Sequence, residues 1–433
     1  MSFTSKLQSD QPEPVQPEPV QHKPVQPKTV LLTGGRAPVT LELARLFADA
    51  GDRVLVADSL RHQLCTCSQA VAKNFVVPAP REKTREKTRE QTRENTAAYI
   101  AALQEIIQSE RVDWLIPTCE EIFYIAAGLE KLTPYCRVFS EPLEKLEPLH
   151  NKWAFIQKIQ AMGLAAPETW LIQTEQDLQH VLKDTATPEH LVLKPVYSRF
   201  ASQVKFVSKS GAETSGVETV DIDLRPDKPW VAQALITGVH YCLYGVAHRG
   251  QLTAFAAYPT TFTAGAGSCI CFESVADPIL LAWMQRVVVA EQFTGQIAFD
   301  VIVAADGKLY PLECNPRAIS AIHLFAPSDR LPQAFFSSET ALIQPQSKSP
   351  AMITLAMLLY GLWSAIATRR LPVWTKTFLS AKDVIFQWRD PLPALHLGVT
   401  LLQFVGMALR QKQSLQRVST QDIEWDGEPI DVS

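Results

Sequence analysis

The chain has 433 residues, enough for two or three lobes built around more than one core. Its formal net charge of -4 gives no global electrostatic reason to expect nucleic-acid binding, which needs a concentrated basic surface. The eight cysteines are scattered, and the closest pairs, Cys65-Thr-Cys67 and Cys269-Ile-Cys271, lack the usual zinc spacing, so reduced thiols are expected.

The first residues contain no apolar stretch of the kind secretion requires, which points to a cytoplasmic protein. Residues 1–28 read as a disordered leader, with Gln-Pro-Glu-Pro-Val at 11–15 and again at 16–20. Thr29 to Gly35 is then a buried-strand run ending in a glycine turn. Val39 to Phe47 has helical apolar spacing, and Gly51 to Asp58 supplies a second strand, so the three form one βαβ unit of a parallel sheet. The turn invites a dinucleotide reading with Asp58 on a ribose, but Gly34-Gly-Arg-Ala-Pro-Val39 lacks the Gly-x-Gly-x-x-Gly pattern. Arg81 to Thr96 is a four-residue repeat of arginine, glutamate, lysine and threonine, read as a solvated helical insertion whose acids cancel its bases. Val112 to Glu121 is a further strand. Thr118 and Glu120 lie at its carboxyl end, where open α/β sheets bind ligands, although a helix N-cap would use the same residue types.

Lys152 opens an amphipathic helix running to Met162. Lys194 interrupts the apolar strand Leu191-Val-Leu-Lys-Pro, where an uncompensated ammonium group would be expensive and a phosphate would relieve the cost. Tyr241 to Ala247 and Leu252 to Tyr258 alternate as a hairpin around His248-Arg-Gly250. The small-residue loop Thr260 to Ser268 is long enough to act as a lid, and Trp283 to Phe293 is a helix. The stretch Gly295 to Arg317 reads as two strands joined by Ala305-Asp-Gly-Lys308. Alternation puts Glu313, Asn315 and Arg317 on one face, and pairing across the turn brings Asp300 toward them. Such a set suits Mg2+ bridging phosphates, with Arg317 facing phosphate oxygens.

Asp300 followed by Glu313-Cys-Asn315-Pro-Arg317 resembles the metal-binding signature of the ATP-grasp superfamily. The nearest flavour is similar to the carbamoyl-phosphate synthetase large-subunit kind and, within it, to mycosporine-glycine synthases, over roughly residues 29–330. The resemblance implies an α/β fold. A Rossmann-like pre-ATP-grasp domain (29–148) would contribute to an acceptor or dimer surface, followed by a two-lobed α+β ATP-grasp domain (149–335) and a C-terminal helical appendage (336–433). It implies ATP and Mg2+ (or Mn2+) as cofactors, with Asp300, Glu313 and Asn315 on the metal and Lys152 and Lys194 on phosphates. Main-chain groups near Ala234 and Leu235, with Gln233 beside them, would read the adenine edge, and Arg317 with Lys194 would act in catalysis. His240 stands where relatives often carry a ribose-binding glutamate. Tyr197 to Ser202 stands where many carry a glycine-rich lid, leaving Ser198, Arg199 and Ser202 as phosphate donors. Ser320 and His323 fall where such enzymes approach the carboxylate substrate, although a packed core histidine is the commoner arrangement.

The implied activity is an ADP-forming ligase that activates a small carboxylate, or a vinylogous acid, as a phosphate and joins it to an amine. The expected partners are those small molecules, with no nucleic acid; a homodimer and a peripheral membrane contact through the C-terminal helices stay open. Two alternatives are a membrane-associated ATP-binding protein without turnover and an NAD(P)-dependent oxidoreductase. The apolar runs 351–366 and 392–409 are expected to pack on the ligase body rather than lie on a membrane. Asp422 to Glu428 is expected to end the chain as a polar tail.

Overall fold

The computed structural model describes residues 26–81, 89–199, 203–209, 222–265, 268–347 and 349–432. The first 25 residues of the expected leader, residues 82–88 of the charged repeat, Ser202 and two residues of the expected lid lie outside these.

Five parallel strands, β1 (Thr29–Thr33), β2 (Arg53–Asp58), β3 (Lys73–Val76), β4 (Trp114–Ile116) and β5 (Arg137–Val138), form a sheet in the order β3-β2-β1-β4-β5. Side chains alternate along β1. Val30 and Leu32 join the helix Pro38–Asp49 in one core, while Leu31 joins the helix Arg89–Glu110 in the other. Helices on both faces explain why the strands read as unbroken apolar runs. The charged repeat does continue into a helix, as the sequence predicts, and its apolar positions Tyr99, Ile100, Leu103 and Ile107 are buried.

A second, antiparallel sheet runs β6-β9-β7-β8, from β6 (Thr169–Ile172), β7 (His190–Pro195), β8 (Lys205–Ser208) and β9 (Trp230–Ala234). It has its own small core of Ile172, Leu178, Leu182, Leu191, Leu193 and Trp230. A third sheet, β11-β10-β15-β16, joins β10 (Gly238–His248) and β11 (Gln251–Pro259) to β15 (Gly295–Ala304) and β16 (Leu309–Asn315). Gly238 opens β10 because a Cβ there would sit 2.2 Å from the Val303 carbonyl oxygen. The helix Pro278–Glu291, capped by Asp277, covers this sheet, and its Trp283 meets Phe299 edge-on at 5.1 Å. The expected lid carries the two-residue strands β12 (Thr263–Ala264) and β13 (Ser268–Cys269).

The C-terminal region departs from expectation in three ways. It is not purely helical: β17 (Ala351–Met352) lies between β14 (Cys271–Phe272) and β18 (Lys382–Asp383), which stitches it to the body. Its long helix, Leu392–Gln411, packs along one strip only, and Leu395, Leu402 and Leu409 are at least 72% exposed. Asp422 to Glu428 is no free polar tail. It returns across the N-terminal sheet, where Asp422 pairs with Arg36 at 2.6 Å and Trp425 is buried beside Phe123, His150 and Tyr197. The partners of this strap lie hundreds of residues upstream, beyond the reach of local pattern.

Candidate nucleotide and metal site

The hairpin β15–β16 is the base of the site. Its turn is the expected one, with the Gly307 N–H donating to Ala304 O at 2.9 Å and Asp306 Oδ1 accepting from the Lys308 N–H at 3.0 Å. Register pairs Asp300 with Glu313 and Ala298 with Asn315. Between these pairs and Val301–Pro311 the register shifts, so Leu312 is an extra residue on β16. Proline cannot donate to a ladder, and β16 is an edge strand, where proline and bulges are tolerated.

Two buried lysines reach this hairpin from the second sheet and its flanking helix. The Lys194 ammonium donates to Leu312 O at 3.0 Å and to Gln233 Oε1 at 2.9 Å. Gln233 in turn donates to Thr169 Oγ1 at 3.1 Å. Lys152 sits 3.2 Å from Glu313 Oε2 and donates to Ser198 O at 3.1 Å. Its helix is capped by Asn151, whose side chain accepts from the Ala154 N–H and donates to the Tyr197 hydroxyl. Burial pulls the Lys194 ammonium down to about 8; the Glu313 charge opposes that pull and the Lys152 charge adds to it. Burial alone would raise the Glu313 carboxyl, but Lys152 and Lys194 outweigh it and hold Glu313 below the usual carboxylate range. Asp300 is pushed up, first by burial and then by the neighbouring Glu313 charge. This is a pair of carboxyl groups that repel until a cation joins them.

The rest of the motif extends from there. Asn315 Nδ2 donates to Glu313 Oε1 at 3.2 Å, and Arg317 donates to Asn315 Oδ1 at 3.1 Å. Arg317 also approaches Glu120 Oε1 at 3.7 Å, while Arg199 Nε lies 2.6 Å from the same oxygen. Glu120 is 1% exposed, so this carboxylate at the end of the parallel sheet is committed to two guanidinium groups from the neighbouring lobes. His240 Nε2 lies 4.0 Å from Asp300 Oδ1. His240, Cys242 and Asp300 offer donor atoms within 4.8 Å of one another, and Cys242 was not singled out in the sequence, being one more apolar-strand cysteine.

Other expected site residues stand elsewhere. Thr118 is fully buried and donates to Thr33 O at 2.7 Å, and Glu121 accepts from the Thr118 and Cys119 N–H groups; the helix Ile122–Ala127 that follows has no side-chain cap, so Thr118 does not cap it. His323 is fully buried, 3.5 Å from Glu42 and stacked on Phe272, which is the core-histidine alternative. Ser320 begins a 3-10 turn, and Ser198 Oγ is 3.5 Å from Pro195 O. The amides of Ala234 and Leu235, expected at the adenine edge, already donate to Glu168 O at 2.8 Å and to His190 O at 3.0 Å. Asp58 accepts from the Arg36 guanidinium and from the Arg36 and Leu60 N–H groups, which leaves no ribose-facing carboxylate at the first turn.

Oxygen donors from Asp300, Glu313 and Asn315, next to two buried ammonium groups, have the chemistry that a hard divalent cation and a polyphosphate require. The sequence matches no protein-family model and no curated protein. Among solved structures, the chain is similar to N5-carboxyaminoimidazole ribonucleotide synthetase in complex with ADP, at 15% identity and TM-score 0.55, covering 75% of this chain and 81% of that one. It is similar to the L-amino acid ligase from Bacillus licheniformis at 16% identity and TM-score 0.53, covering 76% and 80%. It is also similar to biotin carboxylase from Campylobacter jejuni, a β,γ-ATP complex, at 13% identity and TM-score 0.53, covering 72% and 71%. At such identities the likeness establishes the architecture: the chain has the ATP-grasp fold.

Proposed function

We propose that this chain is an ATP- and Mg2+-dependent carboxylate-amine ligase that forms ADP. The observation that carries the reading is the convergence, on one hairpin, of Asp300, Glu313 and Asn315 with the buried Lys152 and Lys194. Asp300, Glu313 and Asn315 would hold the cation, which when bound neutralises charge between the terminal phosphates. Lys152 and Lys194 hold phosphate oxygens, and Gln233 fixes the Lys194 ammonium. His240 and main-chain groups at the end of β9 border the nucleoside. Arg317, anchored on Asn315, faces the transferring phosphoryl group or the anionic intermediate. The acid oxygen attacks the terminal phosphorus and ADP leaves; the amine then attacks the acyl carbon and phosphate leaves. No protein nucleophile is needed, so the side chains act by positioning and charge neutralisation.

The acid is a small carboxylate or, following the likeness to mycosporine-glycine synthases, a vinylogous acid. Its neighbours are Arg317, Arg199 and Glu120. The proposed partners are the acid, the amine, a second copy of the chain and a lipid surface. A cytoplasmic setting is consistent with eight free cysteines. The test is a screen of amino acids and small acids for ADP release. Glu313→Gln should abolish Mg2+-dependent ADP release at an unchanged circular dichroism spectrum, and undiminished release would overturn the site.

A further inference from the structure

The helix Leu392–Gln411 places polar side chains against the body, beside the packed Pro393, Ala394 and Leu397, and leaves an apolar strip outside. His396, Thr400 and Gln403 lie on the strip that meets the body: Gln403 Oε1 accepts from the His62 N–H at 3.1 Å, the His396 ring lies 5.9 Å from that of His62, and Thr400 is 2% exposed. The opposite strip carries Leu395, Leu402 and Leu409 at 75%, 72% and 76% exposure, at the seven-residue spacing that keeps side chains on one helix face. A helix in contact with water has the reverse arrangement. Just before it, Trp388 is 88% exposed and meets Phe386 edge-on, and the neighbouring C-terminal helices add Trp363 at 69% and Leu379 at 80%.

We propose that these helices dock the protein on an anionic lipid surface, with Leu392–Gln411 lying in the plane of the bilayer interface. Charge selects this occupant. Arg369, Lys376, Lys382, Arg389, Arg410 and Lys412 are all exposed in this region. Its two acids are occupied: Asp390 is buried against Arg45, and Asp383 accepts from the Thr354 and Ile385 N–H groups. A second copy of the chain docked face to face would bring like charges together, whereas anionic headgroups neutralise them. Exposed tryptophans beside leucines and basic groups are the composition of interfacial helices. The helix is long and apolar enough to cross a bilayer by length and composition, at a mean hydropathy of 1.6. Its polar strip, however, is bonded to the body, and the strap after it returns to the N-terminal sheet, so it lies on a membrane rather than through one.

The test uses the full chain and vesicles of equal parts phosphatidylglycerol and phosphatidylcholine, with phosphatidylcholine alone as the second arm. The protein should sediment with the anionic vesicles and not with the neutral ones. Leu395→Asp, Leu402→Asp and Leu409→Asp combined should weaken that binding about tenfold or more. Arg410→Ser with Lys412→Ser should also weaken it and leave the residual binding less sensitive to salt. Because the substituted side chains face outward, the urea midpoint should not move; if the triple variant fails to fold, Leu402→Asn alone carries the comparison. Equal binding by the leucine variants, or no binding by the parent chain, would overturn the proposal. So would concentration-dependent self-association that the leucine variants abolish in the absence of vesicles, which would assign the face to a second copy. Vesicle binding is read without nucleotide, so its failure leaves the ligase reading standing.

Discussion

Lys194 illustrates how one residue ties strand chemistry to ligand chemistry. Its ammonium is buried in an apolar strand and held by two neutral oxygens, from Gln233 and Leu312, and burial lowers its proton affinity to about 8. Phosphate binds the charged form, so nucleotide binding should raise that proton affinity again. The sign follows: below about 8 the ammonium is present in the free protein, and above it a proton must be taken up for each nucleotide bound. Nucleotide affinity should therefore fall as pH rises from about 7 to about 9, approaching a tenfold loss per unit at the upper end. Lys194→Arg, charged at every accessible pH, should flatten this limb even if its overall affinity is lower. Titration calorimetry across this range measures both, and an unchanged limb in the arginine variant would detach the effect from Lys194. The sequence made this lysine conspicuous because an apolar strand rarely contains one. Glu120 and Thr118 were not separable in the same way. Both are polar groups at a strand end, and only the fold shows that Thr118 turns into the sheet while Glu120 turns toward Arg199 and Arg317.

At the scale of the element, the hairpin was legible because its two periods coincide. Each strand carries one acid, Asp300 and Glu313, with Asn315 and Arg317 at alternate positions after the second, and the Asp-Gly turn sets that the acids meet. The bulge was not read, although its cause, Pro311, is in the sequence. Proline removes a ladder donor opposite Val301, the extra residue Leu312 follows, and the Leu312 carbonyl receives Lys194. The bulge thus couples the third sheet to the second through one hydrogen bond. Pro311→Thr restores the donor and suits a strand, so it should weaken nucleotide affinity several-fold, if the ladder closes and turns that carbonyl away, while changing stability by less than about 1 kcal/mol. Nucleotide titration together with urea unfolding separates the two effects. A loss of stability with unchanged affinity would show that the carbonyl is not needed to place the lysine. The long C-terminal helix marks the limit of periodicity as a signal. Its apolar run is equally compatible with a packed helix and a lipid-facing one, and only the position of His62 decides which strip faces the body.

At the scale of the whole molecule, the strap Asp422 to Glu428 decides how the N-terminal sheet and the lysine-bearing elements are held together. It was unreadable in sequence because it is short, mostly polar and paired with Arg36 and Arg81, residues that look like surface charges until burial is known. Burial makes these pairs count, since guanidinium groups that lose their carboxylates inside the fold cannot return to water. Trp425 is the apolar centre of the strap, 4% exposed, with its ring 4.8 Å from Phe123 and 5.4 Å from Tyr197, and with its indole N–H donating to Glu428 O at 2.7 Å. Tyr197 in turn accepts from Asn151, the cap of the helix that begins with Lys152. Removing the indole should therefore act on stability and on the nucleotide site together. Trp425→Ala is expected to cost about 3–5 kcal/mol in urea unfolding and to weaken nucleotide binding under conditions where the variant is still folded. Trp363→Ala, at an exposed position on a C-terminal helix, should stay within about 0.5 kcal/mol and leave nucleotide binding unchanged. If Trp425→Ala lost stability but bound nucleotide as the parent does, the strap would be a clamp on the N-terminal sheet alone. If both fell while Trp363→Ala was silent, the chain's last residues would be part of what positions Lys152.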